Sequence, residues 1–287
     1  MHIAVASWSF HRSLYGGTLH LPDVPLAVYE CGIRYVELND VFLAPPQPGR
    51  LARLFGSRPA QASGPDYGRT SLMRVHQGRL RSGARLACWT IETDLTARTP
   101  DEQSAQRAYI ATAIEAARFL GSPILRLTLG GESGDQSAVG RAVNLLRGVL
   151  PVAVASGMRL AIVNHGGLSS EAGVLEEVIG AFAPIDIAGA PALGVCLDVG
   201  HFAEGDREAG IARLAPLAIH AHAPARAFDE RGEETTIDYH SAMQTLRAAG
   251  YDAAISIEYT GDDDPREGVR KTKALIEKHW RRDDDDT

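Results

Sequence analysis

Short apolar runs rich in β-branched residues recur along the chain and alternate with stretches whose apolar residues repeat every three to four positions. The first pattern reads as a buried strand and the second as an amphipathic helix. Strands are predicted at His2–Ser7, Arg34–Asn39, Arg85–Glu92, Pro123–Gly130, Arg159–Gly167, Leu193–Leu197, Leu217–Ala223 and Ala253–Tyr259. Helices are predicted between and after them, over about Pro22–Cys31, Ser71–Gly83, Thr99–Gly121, Val139–Ser156, Ser170–Ala183, Arg207–Leu214, Asp238–Gly250 and Pro265–Lys278. The Thr99–Gly121 helix is the clearest. Thr99 is a suitable N-cap, Pro100 fits the first turn, Glu102 completes a capping box, and Gly121 ends the helix. The Pro-rich loop Ala44–Pro48 and the segment Arg50–Gly68 carry no such pattern.

Strands and helices in strict alternation predict a parallel sheet covered by helices. Eight such pairs with no linker between them favour closure into a single (β/α)8 TIM barrel over residues 1–280, an α/β fold. Residues 281–287, an acidic run after two arginines, read as a solvated, disordered tail. No GxGxxG follows the first strand, so a dinucleotide-binding fold has no support.

Composition narrows the function. Hydrophobic residues are 45% of the 287, enough for a large core. The net charge of -7 disfavours nucleic acid and anionic membrane as partners, because both demand a basic surface. Cys31, Cys88 and Cys196 lie on apolar stretches with no CxxC pair, as expected of buried thiols in a reducing compartment. MHIAVASWSF lacks the basic start and long apolar run of a signal peptide, and no run approaches a membrane span, so a cytoplasmic protein is expected.

A barrel of this kind carries its chemistry at the C-terminal ends of its strands. Polar residues collected there are Glu37, Glu92, His165, Asp198, His201, His220, His222 and Glu258. Asp198 closes an apolar run in GVCLDVGHF, and His201 follows the break at Gly200. Carboxylates and imidazoles converging on one mouth require a cation or one another. Asp198, His222 and Glu258 form a set of oxygen and nitrogen donors for one divalent ion, Mn, Mg, Co or Zn. His220 points the same way as His222 but lies deeper, in a supporting or core position. Trp8, Phe10 and Trp89 lie where they can stack on a sugar ring or pack the rim. Gly130, Gly131 and Gly134 suit a phosphate cradle, but Glu132 and Asp135 beside them would repel a phosphate.

With these residues in place, the chain resembles the sugar phosphate isomerase/epimerase family, the xylose-isomerase-like barrels, over nearly its whole length. VASWSFHR and GIRYVELND resemble the family's first two strands; LDVGH, HAHAP and TIDYHSAMQTLRAAGYDAAISIEY resemble its later motifs in order and spacing. The resemblance implies metal binding by Asp198, His222 and Glu258, with Glu258 also a base. It implies substrate contact by His201 and, more distantly, by Arg226 and Asp238; Trp8 and Glu37, from their places at strand ends, are further candidates for substrate contact. The implied reaction is isomerisation, epimerisation or a related elimination by proton transfer beside a carbonyl, on a free sugar, polyol or sugar derivative. Relatives often pair, so a homo-oligomer is also expected. Pro224 stands where relatives often carry lysine, against Schiff-base chemistry.

One departure cuts against this. The family's fifth strand usually ends in a metal-binding glutamate, and here that position falls on Val163, which neither ligates nor carries a proton. His165, on the same strand face, is one replacement as ligand or as second proton carrier with His201. Glu37, reaching across from the second strand, is another. The alternative is a barrel with impaired catalysis, serving as a binding or partner subunit. A nuclease like the distant relative endonuclease IV would need more metal ligands and a basic face.

Overall fold

The computed structural model describes residues 1–43, 65–135, 137–202 and 205–281. The Pro-rich loop, most of Arg50–Gly68 and the acidic tail beyond Arg281 lie outside them. Eight parallel strands close a barrel. They are β1 (His2–Ala6), β2 (Tyr35–Asn39), β3 (Arg85–Thr90), β4 (Ile124–Thr128), β5 (Arg159–Val163), β6 (Leu193–Asp198), β7 (Ala218–Ala225) and β8 (Ala254–Tyr259). Each neighbours the next, and β8 pairs with β1 in the register His2 to Ala254. Among the described residues an outer helix follows each strand: α1 (Val24–Glu30), α2 (Arg69–Ser82), α3 (Pro100–Leu120), α4 (Ala138–Ala155), α5 (Ala172–Gly180), α6 (Arg207–Leu214), α7 (Tyr239–Ala248) and α8 (Pro265–Trp280). A two-stranded hairpin, Asp186–Ile187 with Ala190–Pro191, precedes β6, and a one-turn helix, His11–Tyr15, follows β1; neither is legible in the periodicity.

Local chemistry explains the boundaries. Thr99 accepts from the Glu102 N–H while the Glu102 side chain accepts from the Thr99 N–H, the full capping box of α3. Gly121 ends it in the left-handed region at φ 79°. Strand β5 is shorter than the run Arg159–Gly167 predicts. It stops at Val163, and His165 stands in the loop, its N–H donating to Ser169 Oγ at 2.9 Å. Helix α4 is long and apolar enough to cross a membrane by length and composition, but 44% of that span is buried inside the protein as one barrel helix.

Strand alternation splits the core in two. Leu38, Trp89, Leu125, Leu160, Val195 and Ile257 belong to the large cluster that includes the buried helix residues. Cys88, Ile124, Ala161, Val163, Cys196 and Ile219 form the smaller cluster that fills the barrel interior. On that face, Glu37, Arg126, Asp198, His220, His222 and Glu258 are buried polar residues. Two register shifts, between Val36 and Glu37 and between Val195 and Cys196, locally re-aim the strands bearing Glu37 and Asp198.

Candidate metal centre

Asp198 ends β6 with its two carboxylate oxygens in different employment. Oδ1 accepts the N–H groups of Gly200 at 2.8 Å and His201 at 3.2 Å, fixing the turn that follows. Oδ2 is buried with no hydrogen-bond partner. The turn is tight: a Cβ on Gly200 would lie 2.6 Å from Pro224 Cγ, so glycine is required. Asn164 clamps the strand end from β5's side. Its Oδ1 accepts the Asp198 N–H at 2.8 Å, and its Nδ2 donates to the carbonyls of Asp198 and His201 at 2.8 and 2.9 Å.

His222 on β7 lies beside Asp198 in register. Its Nε2 is 3.0 Å from both oxygens of Glu37, and its Nδ1 has no hydrogen-bond partner. Glu37 is fully buried and engaged on both oxygens. Oε1 also accepts from Thr90 Oγ1 at 2.6 Å, and Oε2 pairs with His220 Nε2 at 2.8 Å. His220 Nε2 lies 3.0 Å from Ser256 Oγ as well. Burial opposes ionisation of Glu37, but His222 and His220 outweigh it and hold its carboxyl well below the usual range. An ionised Glu37 accepts, so His222 carries its proton on Nε2. Nδ1 points away, toward Asp198 Oδ2 at 3.7 Å and Glu258 Oε2 at 3.8 Å; burial opposes a charge on the ring, but Cys196, Glu37 and Asp198 raise its pKa well above the usual value, so a bound ion would take the place of a proton on Nδ1. This is the arrangement in which a carboxylate orients a metal-ligating imidazole from behind.

Asp198, His222 and Glu258 thus present three ligand atoms within 4.8 Å of one another, all buried. Carboxylate oxygens and an imidazole nitrogen buried at that spacing need a proton or a metal cation between them. Burial raises the pKa of Glu258, with His222 pulling it back. Burial acts the same way on Asp198, but His201 and His222 beside it keep its carboxyl well below the usual range. The set of two oxygens and one nitrogen fits a divalent ion. Two other groups, Cys196–His220–His222 and Glu37–Cys88–His220, lie among the interior side chains. Burial raises the pKa of both thiols, leaving them protonated and poor ligands.

His165 forms a separate group with Asp198 and His201, and among the described residues it does not complete a cluster of four with the buried trio. Its ring lies 4.4 Å from that of His201. Burial, then the charges of Arg126 and His201, push its pKa down to about 4. His201 Nδ1 comes within 3.0 Å of Asp198 Oδ2, yet out of line for a hydrogen bond. Asp198 raises the His201 pKa against the effect of burial.

Other expected contacts are placed differently. Glu37 neither faces a substrate nor fills the place opposite Val163, because both oxygens are bound from behind His222 and His220. Asp238 caps α7 by accepting the Ser241 N–H at 2.9 Å, and that oxygen is spent on the helix. Arg226 is exposed in the loop after β7. Trp8 lies in the turn after β1, stacked on His11 at 5.4 Å and tilted against Phe42 at 5.8 Å. Val163 is wholly buried in the interior apolar cluster. Four contributors escape a reading by residue type: Thr90, Asn164, Ser256 and Arg126. The arginine alone left a signal, a charge at an alternate position of an otherwise apolar strand.

A closed eightfold barrel with ligand-type residues gathered at the C-terminal ends of β6, β7 and β8 defines a class of TIM-barrel proteins. The xylose isomerase-like TIM barrel family matches residues 27–279, and the chain belongs to that family. Solved structures agree in fold. D-psicose 3-epimerase from Clostridium cellulolyticum, with D-tagatose, superposes with a TM-score of 0.72 at 11% identity, covering 98% of this chain and 100% of that one. D-allulose 3-epimerase from Methylomonas sp. gives 0.71 at 12%, covering 97% and 98%. A sugar phosphate isomerase/epimerase from Parabacteroides distasonis gives 0.69 at 11%, covering 97% and 95%. No curated protein matches the chain in sequence.

Proposed function

We propose that the chain is a divalent-metal-dependent isomerase or epimerase, or a related lyase, moving a proton beside a carbonyl of a free sugar, polyol or sugar derivative. The observation that carries this reading is the pair of buried, unpartnered atoms, Asp198 Oδ2 and His222 Nδ1, facing Glu258. Asp198, His222 and Glu258 would hold the ion, which when bound supplies Lewis-acid polarisation of a substrate oxygen. Glu37 keeps His222 in the ligating tautomer. Glu258 accepts the substrate proton, and its burial is what makes a carboxylate basic enough to do so. His201 and His165, their rings adjacent at the rim, bind the substrate and carry the second proton. The fold family and the named activities of the three structures above, 3-epimerases and a sugar phosphate isomerase/epimerase, favour this chemistry. A net charge of -7 fits a small-molecule substrate in the cytoplasm, with no nucleic acid or membrane partner.

The test is solvent exchange. Mn-loaded protein is incubated with ketohexoses in deuterated water, and loss of the proton beside the carbonyl is followed by NMR. Exchange is expected with at least one sugar and should fall by on the order of 10²-fold or more in Glu258→Gln. Full exchange in that variant would remove Glu258 from the role. Val163, buried and apolar, favours a second reading, a binding subunit without turnover. That reading expects neither exchange nor bound metal.

A further inference from the structure

Arg126 is the one arginine or lysine buried on the interior face among the described residues, and metal binding by Asp198, His222 and Glu258 leaves it unexplained. On β4 it shares a face with Ile124, a member of the barrel-interior cluster, and is 3% exposed. Its strand neighbours are Thr90 on β3 and Ala161 on β5. With Val163 one step further along β5, the wall around the guanidinium is made of short side chains. In the closed order, β4 stands opposite β8, so Arg126 and Glu258 lie on facing walls of the barrel.

Five N–H donors are available on a guanidinium. Among the described residues Arg126 makes one side-chain hydrogen bond, from Nη1 to Glu92 Oε1 at 3.0 Å, and its Nε is buried with no partner. Glu92 is a weak counter-ion for it: its side chain is 59% exposed at the rim and solvated. Among the described residues, no carboxylate of the metal trio pairs with Arg126 within 4.0 Å; its ion pair is with Glu92. The guanidinium thus has most of its donors free among the described residues. Asp198 and Glu258 together balance one divalent ion, and Glu37, the third interior carboxylate, has both oxygens occupied by His222, His220 and Thr90. Arg126 therefore brings a buried guanidinium with unused donors to the interior face that carries the trio.

We propose that Arg126 is a substrate-binding residue that selects sugars bearing a carboxylate, sugar acids over neutral sugars. The planar fork receives a carboxylate through two parallel hydrogen bonds, a geometry that a hydroxymethyl group cannot satisfy. This proposal rests on the metal-dependent reading of the site and deepens it.

The experiment compares sugars that differ only in this group: D-glucuronate with D-glucose, and D-galacturonate with D-galactose. Mn binding to the full chain is first measured by calorimetry, and binding of each sugar to the Mn-loaded protein follows. The acid should bind at least tenfold more tightly than its neutral partner in one pair or both. Arg126→Met, of similar length and apolar, should reduce that acid-to-neutral ratio at least tenfold, with Arg126→Lys restoring part of it; circular dichroism and Mn affinity show that each variant is folded. Equal binding of acid and neutral sugar in both pairs overturns the proposal. So does an Arg126→Met protein that loses stability but keeps its preference, which would make the arginine a structural counter-ion. Failure of the wild-type protein to bind Mn counts instead against the metal-dependent function and is visible before any sugar is added.

Discussion

The site turns on individual atoms more than on residue types. Asp198 serves both roles a carboxylate at a strand end can serve, since Oδ1 holds the turn while Oδ2 is left for a ligand. Sequence shows that an aspartate is there; only the backbone around Gly200 decides which oxygen is free. Glu37 illustrates the same limit. Its position at a strand end was legible, but its partner was not, because the contact to His222 spans 185 positions. Replacing it tests the orienting role: Glu37→Gln should weaken Mn affinity about 10- to 100-fold while the fold persists. Unchanged affinity by calorimetry would show that His222 needs no partner behind it. A second buried carboxylate gives a prediction in pH. Asp40 accepts from Tyr67 and Tyr109, both at 2.6 Å, and burial outweighs these bonds and pushes its pKa up to about 6. The folded state then binds the proton more tightly than the unfolded chain does. Its contribution is complete below pH of about 4 and is lost as pH rises to about 6, on the order of 3 kcal/mol. Urea unfolding at stepped pH should show this slope in the wild type and a shallower one in Asp40→Asn; equal slopes would contradict it.

At the scale of elements, the eight strand–helix pairs were readable from periodicity because each strand is short, apolar and closed by a turn residue. The ends were less readable. An apolar run does not announce where pairing stops, and so β5 ends at Val163 rather than running on to Gly167. That difference moves His165 off the strand and into the rim loop, beside His201 instead of in the place of the missing glutamate. The β6–α6 turn is the element on which the proposed metal centre depends most. Gly200→Ala would force a Cβ to 2.6 Å from Pro224 Cγ and 3.3 Å from Asp198 Oδ1. A loss of roughly 1–3 kcal/mol in unfolding free energy is expected, with weaker Mn binding because the turn carries Asp198. A variant as stable and as metal-competent as the wild type would mean that the turn is looser than the structure shows.

For the whole molecule, closure of the barrel is what turns separate strand ends into one site. Residues 37, 198, 222 and 258 lie far apart in the chain, and the ring order β8–β7–β6 brings the trio side by side while β2 supplies Glu37 across the interior. The architecture and the trio were both anticipated by the pattern of strand ends and by the motifs; the interior charge of Arg126 was not, since one arginine in PILRLTLG says nothing about what faces it. Metal affinity is the property that joins these levels, because an ion that binds only the folded barrel stabilises it. At a free Mn concentration of 100 times Kd the expected gain is about 2.7 kcal/mol, reversed by chelator. The most direct measurement is a calorimetric titration of Mn into chelator-stripped protein, repeated on His222→Gln. One ion per chain is expected for the wild type, with binding lost or severely weakened in the variant. A wild-type protein that takes up no ion and gains no stability from Mn would contradict the metal centre on which the account rests.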